Sequence, residues 1–176
     1  MTQQLRCHDD VNQPYPRVRD ALLANPGYVF RHATAATATD AAALRVGIGA
    51  LDVGVDVTLK VLQVAADTVA GTPMTKLTLA WSSAHAAALF PVMSTTLSVY
   101  PLPTGDTRLE LDGTYQPPFG KPGEVIDAVL GHRVAEAAVK RFVCEVAGWL
   151  REELAVAPPA AEPDVPRERA PAELEC

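Results

Sequence analysis

Arg108-Leu109-Glu110-Leu111-Asp112-Gly113-Thr114-Tyr115-Gln116-Pro117-Pro118-Phe119-Gly120 is the stretch whose reading decides the fold. Leu109, Leu111, Gly113 and Tyr115 alternate with Arg108, Glu110, Asp112 and Thr114, the period of two that gives a strand one apolar and one wet face. Two prolines and a glycine in Gln116 to Gly120 end that strand. The chain then enters a long amphipathic segment that reaches residue 154. A last strand delivering its chain straight onto a C-terminal helix predicts a sheet wrapped around that helix. It points to a binding cavity more than to a catalytic centre.

Upstream, the same period recurs. Leu5, Cys7 and Val11 alternate weakly with polar residues and predict a short first strand. Pro14 and Pro16 suit the opening of a helix through Val18, Ala21, Leu22 and Leu23, with Asn25-Pro26-Gly27 as its stop. Residues 33 to 43 are nearly all Ala and Thr and show no convincing extra strand. Leu44, Val46 and Ile48 then share a face, as do Val55, Val57, Leu59 and Val61 opposite Asp56, Thr58 and Lys60. Thr75, Leu77, Leu79 and Trp81 continue the pattern, followed by Met93, Thr95, Leu97 and Val99. Turns fall at Ala70-Gly71-Thr72-Pro73 and Pro103-Thr104-Gly105-Asp106. The result is an antiparallel meander with one apolar face that needs a cover.

The last helix supplies the cover. At roughly 100° per residue, Val134, Ala138, Val139, Phe142, Val146, Trp149 and Leu150 fall on one side, and Arg133, Glu136, Lys140, Arg141, Glu145 and Arg151 on the other. The apolar side of Val125, Ile126, Val129 and Leu130 is rotated away from the first, which predicts a bend or break at Gly131-His132. From Ala155 onward Pro158, Pro159, Pro163, Pro166 and Pro171 predict a disordered tail over 155–176, leaving one domain over 1–154.

Composition narrows the function. The chain has 176 residues, enough for one domain with a real core. It carries a net charge of -6, which opposes binding to phosphate backbones, and its 6% aromatic content offers few stacking platforms, so nucleic acid is not an expected partner. No apolar run spans a bilayer and Met1 to Arg6 lacks the regions of a signal peptide, which predicts a cytoplasmic protein. Cys7, Cys144 and Cys176 are odd in number, without a CxxC pair, and are read as reduced thiols.

These residues and spacings resemble the START-like superfamily, the polyketide cyclase and lipid-transport group also called SRPBCC, with its helix-grip fold. The resemblance is carried by Trp81, Leu89-Phe90-Pro91, Leu97-Ser98-Val99-Tyr100-Pro101-Leu102, the run from Leu109 to Gly120, Gly123, Asp127, Leu130-Gly131 and the Ala-rich helix. It covers residues 73 to 154 well and the first seventy in outline. It implies an α+β fold in which a curved antiparallel sheet grips a long C-terminal helix, with small helices after the first strand, around an apolar cavity. Members bind lipids, sterols, polyketides or hormones, and some are cyclases or aromatases. Between 29 and 43 the chain departs from the pattern by one strand.

The candidate ligand-binding residues are Leu79, Trp81, Leu97, Leu111, Tyr115, Ile126, Leu130 and Phe142, from the matched apolar faces of strands and helix. Trp81 and Tyr115 carry polar tips that can orient a ligand in a cavity or simply pack in a filled core. The alternating pattern serves a hollow and a filled interior equally. The partner expected is a hydrophobic or amphipathic small molecule, with oligomeric state left open. An enzyme reading, a cyclase or aromatase, needs acid-base groups in the cavity, and Tyr115, His85 and His132 are the ones available. A third reading is a protein-interaction module with a collapsed core.

Other constellations carry less. His8-Asp9-Asp10 lies on a strand, where neighbours point to opposite faces, so no metal site is expected. Asp52 and Asp56 read as a turn and the wet face of a strand. Gly47-Ile48-Gly49 does not extend to a dinucleotide fingerprint and there is no GxSxG elbow, so neither a cofactor nor a catalytic nucleophile is expected.

Overall fold

The computed structural model describes residues 3–34, 41–48, 51–83, 93–115 and 125–156. Its elements follow one another as β1 (Gln3–Val11), α1 (Tyr15–Ala24), α2 (Pro26–Ala33), β2 (Ala41–Ile48), β3 (Leu51–Val69), β4 (Thr72–Ser83), β5 (Met93–Pro101), β6 (Thr107–Tyr115) and α3 (Val125–Val156). The strands form a six-stranded antiparallel sheet in the order β1-β6-β5-β4-β3-β2. β2 to β6 is the expected meander, and β1 closes it by pairing with the last strand, Gln3 opposite Tyr115.

Helix α3 touches β1 and β2, the two outermost strands, as well as β6. In a flat sheet five spacings of ~4.8 Å would hold those edges ~24 Å apart, about twice the width of a helix. The sheet therefore curls around α3. Part of the curl is local, because the register of β3 against β4 shifts between Val61 and Gln63, and bulges of this kind bend a strand and increase its twist.

The core sits where the concave face meets α3. The register places Leu77, Leu97 and Leu111 in one row across β4, β5 and β6, with Thr75, Val99 and Leu109 in the next, and all are buried. From α3 come Ala138, Val139, Phe142, Val146 and Leu150, as the periodicity predicts, while Arg133, Glu136, Lys140 and Arg141 stay exposed. The buried stripe is wider than expected and includes Ala135, Val143, Ala147 and Leu154. A helix gripped on more than one side hides more of its circumference than a surface helix does.

Three expectations change. Asn25-Pro26-Gly27 was expected as the stop of the first helix, yet the same residues also start a second one. Asn25 takes the N-cap of α2, its side chain accepting from the Tyr28 backbone N–H at 2.9 Å, and Pro26 opens the helix where no donor is needed. Of the bend or break expected at Gly131-His132, the break is absent, since α3 is a single 32-residue helix from Val125 to Val156. One interior glycine costs about 1 kcal/mol relative to Ala, too little to divide a helix whose later turns are held by packing. The helix also runs past Leu154, where the tail was expected to begin, and residues 157–176 lie outside the described residues.

The far end of α3 is tied down by charge. Arg151 donates from Nε to the Asp10 carbonyl at 3.0 Å and from its terminal nitrogen to the Asp9 carboxylate at 2.5 Å. Arg17 of α1 donates to the Leu154 carbonyl at 3.0 Å, satisfying a helix-end acceptor. Asp10 in turn accepts both arms of Arg108 at 2.7 and 2.8 Å. Asp9 and Asp10 are thus part of an ion-pair lattice, and among the described residues no group of metal-ligating side chains gathers.

Candidate functional site

Five of the eight residues read from the sequence as ligand-binding, Leu79, Trp81, Leu97, Leu111 and Phe142, are at most 1% exposed. Phe142 descends from α3 onto the Trp81 ring edge to face, with ring centres 4.9 Å apart. Its other side meets Phe30 of α2 at 5.2 Å. Trp81 donates from Nε1 to the Thr95 hydroxyl at 2.8 Å, so its polar tip is satisfied within the protein. At this level the space between sheet and helix is packed solid.

The other three are Tyr115 on β6 and Ile126 and Leu130 on α3. Tyr115 ends β6 and stands in register with Met93, which pairs with Trp81, which pairs with Leu59. Ile126 and Leu130 are on the first turns of α3. The side chains of Tyr115, Ile126, Leu130 and His132, and the whole of His85, lie outside the described residues, so the acid-base groups of the enzyme reading fall there too.

Open space appears next to this row. A cleft of about 540 Å³ is lined by Asn25, Pro26, Gly27 and Phe30 on one side and Leu59, Lys60, Val61 and Leu62 on the other. Its volume lies within the range of small-molecule sites. The local structure explains why it exists. β2 begins at Ala41, paired with Thr58, so β3 beyond Thr58 has no strand beside it on that side among the described residues. The N-terminal turn of α2 stands there instead, and a helix end cannot fill a strand's place in the ladder.

The cleft joins the packed interior through two side chains. Phe30 and Leu59 belong to the buried core, Phe30 against Phe142 and Leu59 opposite Trp81, and both also line the cleft. Leu62, left unpaired by the bulge, is 62% exposed at its mouth. Leu59, Lys60 and Val61 were legible as strand residues but not as lining residues. The signal that was available is Asn25-Pro26, a capping residue followed by the residue favoured at the first helical position.

A smaller hollow of about 40 Å³ lies between β1 and α3, bounded by Leu5, Arg6, Cys7, Glu136, Val139 and Lys140. Cys7 is half-buried there. Burial, reinforced by the neighbouring Cys144, pushes its thiol up to about 12. On the outer face of the sheet Tyr100 donates to Glu110 at 2.7 Å and Arg6 pairs with the same carboxylate. Burial works against the Glu110 charge, but these two donors outweigh it and hold its pKa below the ordinary carboxylate value. The group is a cross-strand lattice facing away from the cavity side.

The protein thus combines a curled antiparallel sheet, small helices after the first strand and a long last helix held against both sheet edges. Among solved structures the Zhui aromatase/cyclase from Streptomyces sp. R1128 superposes with a TM-score of 0.51 at 13% identity, covering 88% of this chain and 96% of that one. Protein MLL2253 from Mesorhizobium loti superposes with a TM-score of 0.50 at 15% identity, covering 85% and 98%. The fold is the helix-grip fold. No family model matches the chain, and no curated protein does. At these identities the likeness is one of fold. The resemblance read from residues 73–154 thus holds for the helix-grip architecture. None of the described helices is long and apolar enough to cross a membrane.

Proposed function

We propose that this helix-grip chain binds a hydrophobic or amphipathic small molecule in the space between the sheet and α3, reached through the cleft between β3 and the start of α2. The observation that carries the reading is the cleft itself, about 540 Å³ with Phe30, Leu59, Val61 and Leu62 in its wall. Apolar ligand surface buried there is stabilised by on the order of 25 cal/mol per Å² removed from water. Phe30 and Leu59 connect the cleft to Phe142 and Trp81, two of the residues assigned to the ligand from the sequence. In this reading Tyr115, Ile126 and Leu130 border the far part of the same space, while Leu79, Leu97 and Leu111 form its packed floor.

Native mass spectrometry of protein purified from cells tests the proposal, with an apolar molecule expected to remain bound. Leu59→Trp, which adds bulk inside the cleft, should lower the affinity for that molecule at least tenfold. Protein that emerges ligand-free and takes up none of a panel of fatty acids, sterols and aromatic polyketides would overturn it.

A further inference from the structure

The cleft has a polarity that the apolar wall alone does not explain. Along β3 successive side chains point to opposite faces, so Leu59 and Val61 look inward while Lys60 looks out, yet all three line the same cleft. The cleft therefore wraps around the edge of β3. Its floor is the inner face, at Phe30, Leu59 and Val61, and its mouth is the outer face, at Lys60 and Leu62. Wrapping is possible because β3 has no strand on its β2 side past Thr58 among the described residues.

Among the described residues Lys60 is the one charged residue in that lining. Its partner across the β4 register is Ala80, and none of the ion pairs among the described residues involves it. Two other cations of this acidic chain are matched, Lys76 with Asp67 at 2.6 Å and Arg108 with Asp10 at 2.7 Å. A lysine stem lays its methylenes along apolar surface and presents its ammonium to water, which suits the boundary between an oily floor and a wet mouth.

Resting on the ligand-binding reading above, we propose that the ligand is an organic acid with an apolar chain, its carboxylate at Lys60 and its chain inward along Leu59, Val61 and Phe30. The head remains at the surface and the tail replaces water on the inner face of β3. The orientation follows from the order of residues on one strand edge.

Dodecanoate and dodecanol, equal in chain length and different in head charge, separate the alternatives by calorimetric titration and by amide shifts at pH 7. Dodecanoate should bind about fivefold more tightly than dodecanol, the size expected of one partly exposed ion pair. Its shifts should centre on residues 25–30 and 59–62. Lys60→Met, which keeps the stem and removes the charge, should abolish the preference, and Lys60→Arg should retain it. Equal affinities for the two probes, or a preference untouched by Lys60→Met, would overturn the acid assignment while leaving a hydrophobic site in place. Failure of both probes to bind would overturn the acid assignment together with the reading on which it rests.

Discussion

Gly113 stands so close to Thr95 on the neighbouring strand that a β-carbon added to it would lie 2.4 Å from Thr95 Cγ2 and 3.0 Å from the Ser94 carbonyl oxygen. Thr95 in turn is the hydroxyl that accepts the Trp81 indole N–H. Glycine at 113 therefore leaves room for the threonine that orients the largest side chain of the core.

Gly113→Ala should destabilise the fold by about 1–3 kcal/mol, the cost of overpacking a filled site. Thr95→Ser lacks the offending methyl group and keeps the hydroxyl, so adding it to Gly113→Ala should recover part of the loss. Urea unfolding of the two variants, with Trp81 fluorescence as the probe, checks both. A double variant no more stable than Gly113→Ala would show that Thr95 is not the obstacle.

Phe142→Ala should cost about 3–5 kcal/mol, because the ring is fully buried between Trp81 and Phe30 and its removal leaves a cavity. Chemical denaturation measures it. A loss below about 1 kcal/mol would mean that the interior at this level is loose instead of packed.

The Asp10–Arg108 pair predicts an acid dependence. Hydrogen bonds from Arg108 hold the Asp10 carboxyl below its ordinary value of 3.8. The folded state then binds fewer protons than the unfolded one, so the pair's contribution is complete above pH 3.8 and is lost as pH falls below it. Both side chains are partly exposed, so the contribution is at most about 1 kcal/mol. Asp10→Asn should lower stability at pH 7 and flatten its dependence between pH 2 and 4, as followed by thermal melts across that range.

Cys7 predicts an alkaline dependence of opposite sense. Its thiol is raised from 9.0 to about 12, mainly by burial, so the unfolded chain loses that proton first and stability falls as pH climbs from 9 toward 12. In a Cys176→Ser background, maleimide at pH 8 should label exposed Cys144 well before half-buried Cys7. Preferential labelling of Cys7 by mass spectrometry would contradict the placement of β1 beneath α3.

Much of the architecture was legible because one face of every strand had to be apolar. Thr75, Leu77, Leu79 and Trp81, and Met93, Thr95, Leu97 and Val99, are buried in the alternation the sequence displays. The helix was legible through the same demand at a period of 3.6. The cleft was not, because nothing local marks it. It arises where β2 starts only opposite Thr58 and where α2 begins at Pro26 behind its Asn25 cap, two events set by register and chain direction. The packing of Phe142 against Trp81 was equally hidden, since hollow and filled interiors place the same residues on the same faces.

Pairing of β1 with β6 sets a condition on how the protein is made. Gln3 meets Tyr115 only after more than a hundred further residues have been synthesised, which at ~5–20 residues per second is roughly 5–20 seconds. The gripped helix emerges later still. Until then the leucines that will line the concave face have no cover, and such distant partnerships fold slowly. The nascent chain is thus a natural client for chaperones, and truncation before α3 would leave a sticky, unclosed sheet in place of a smaller stable domain.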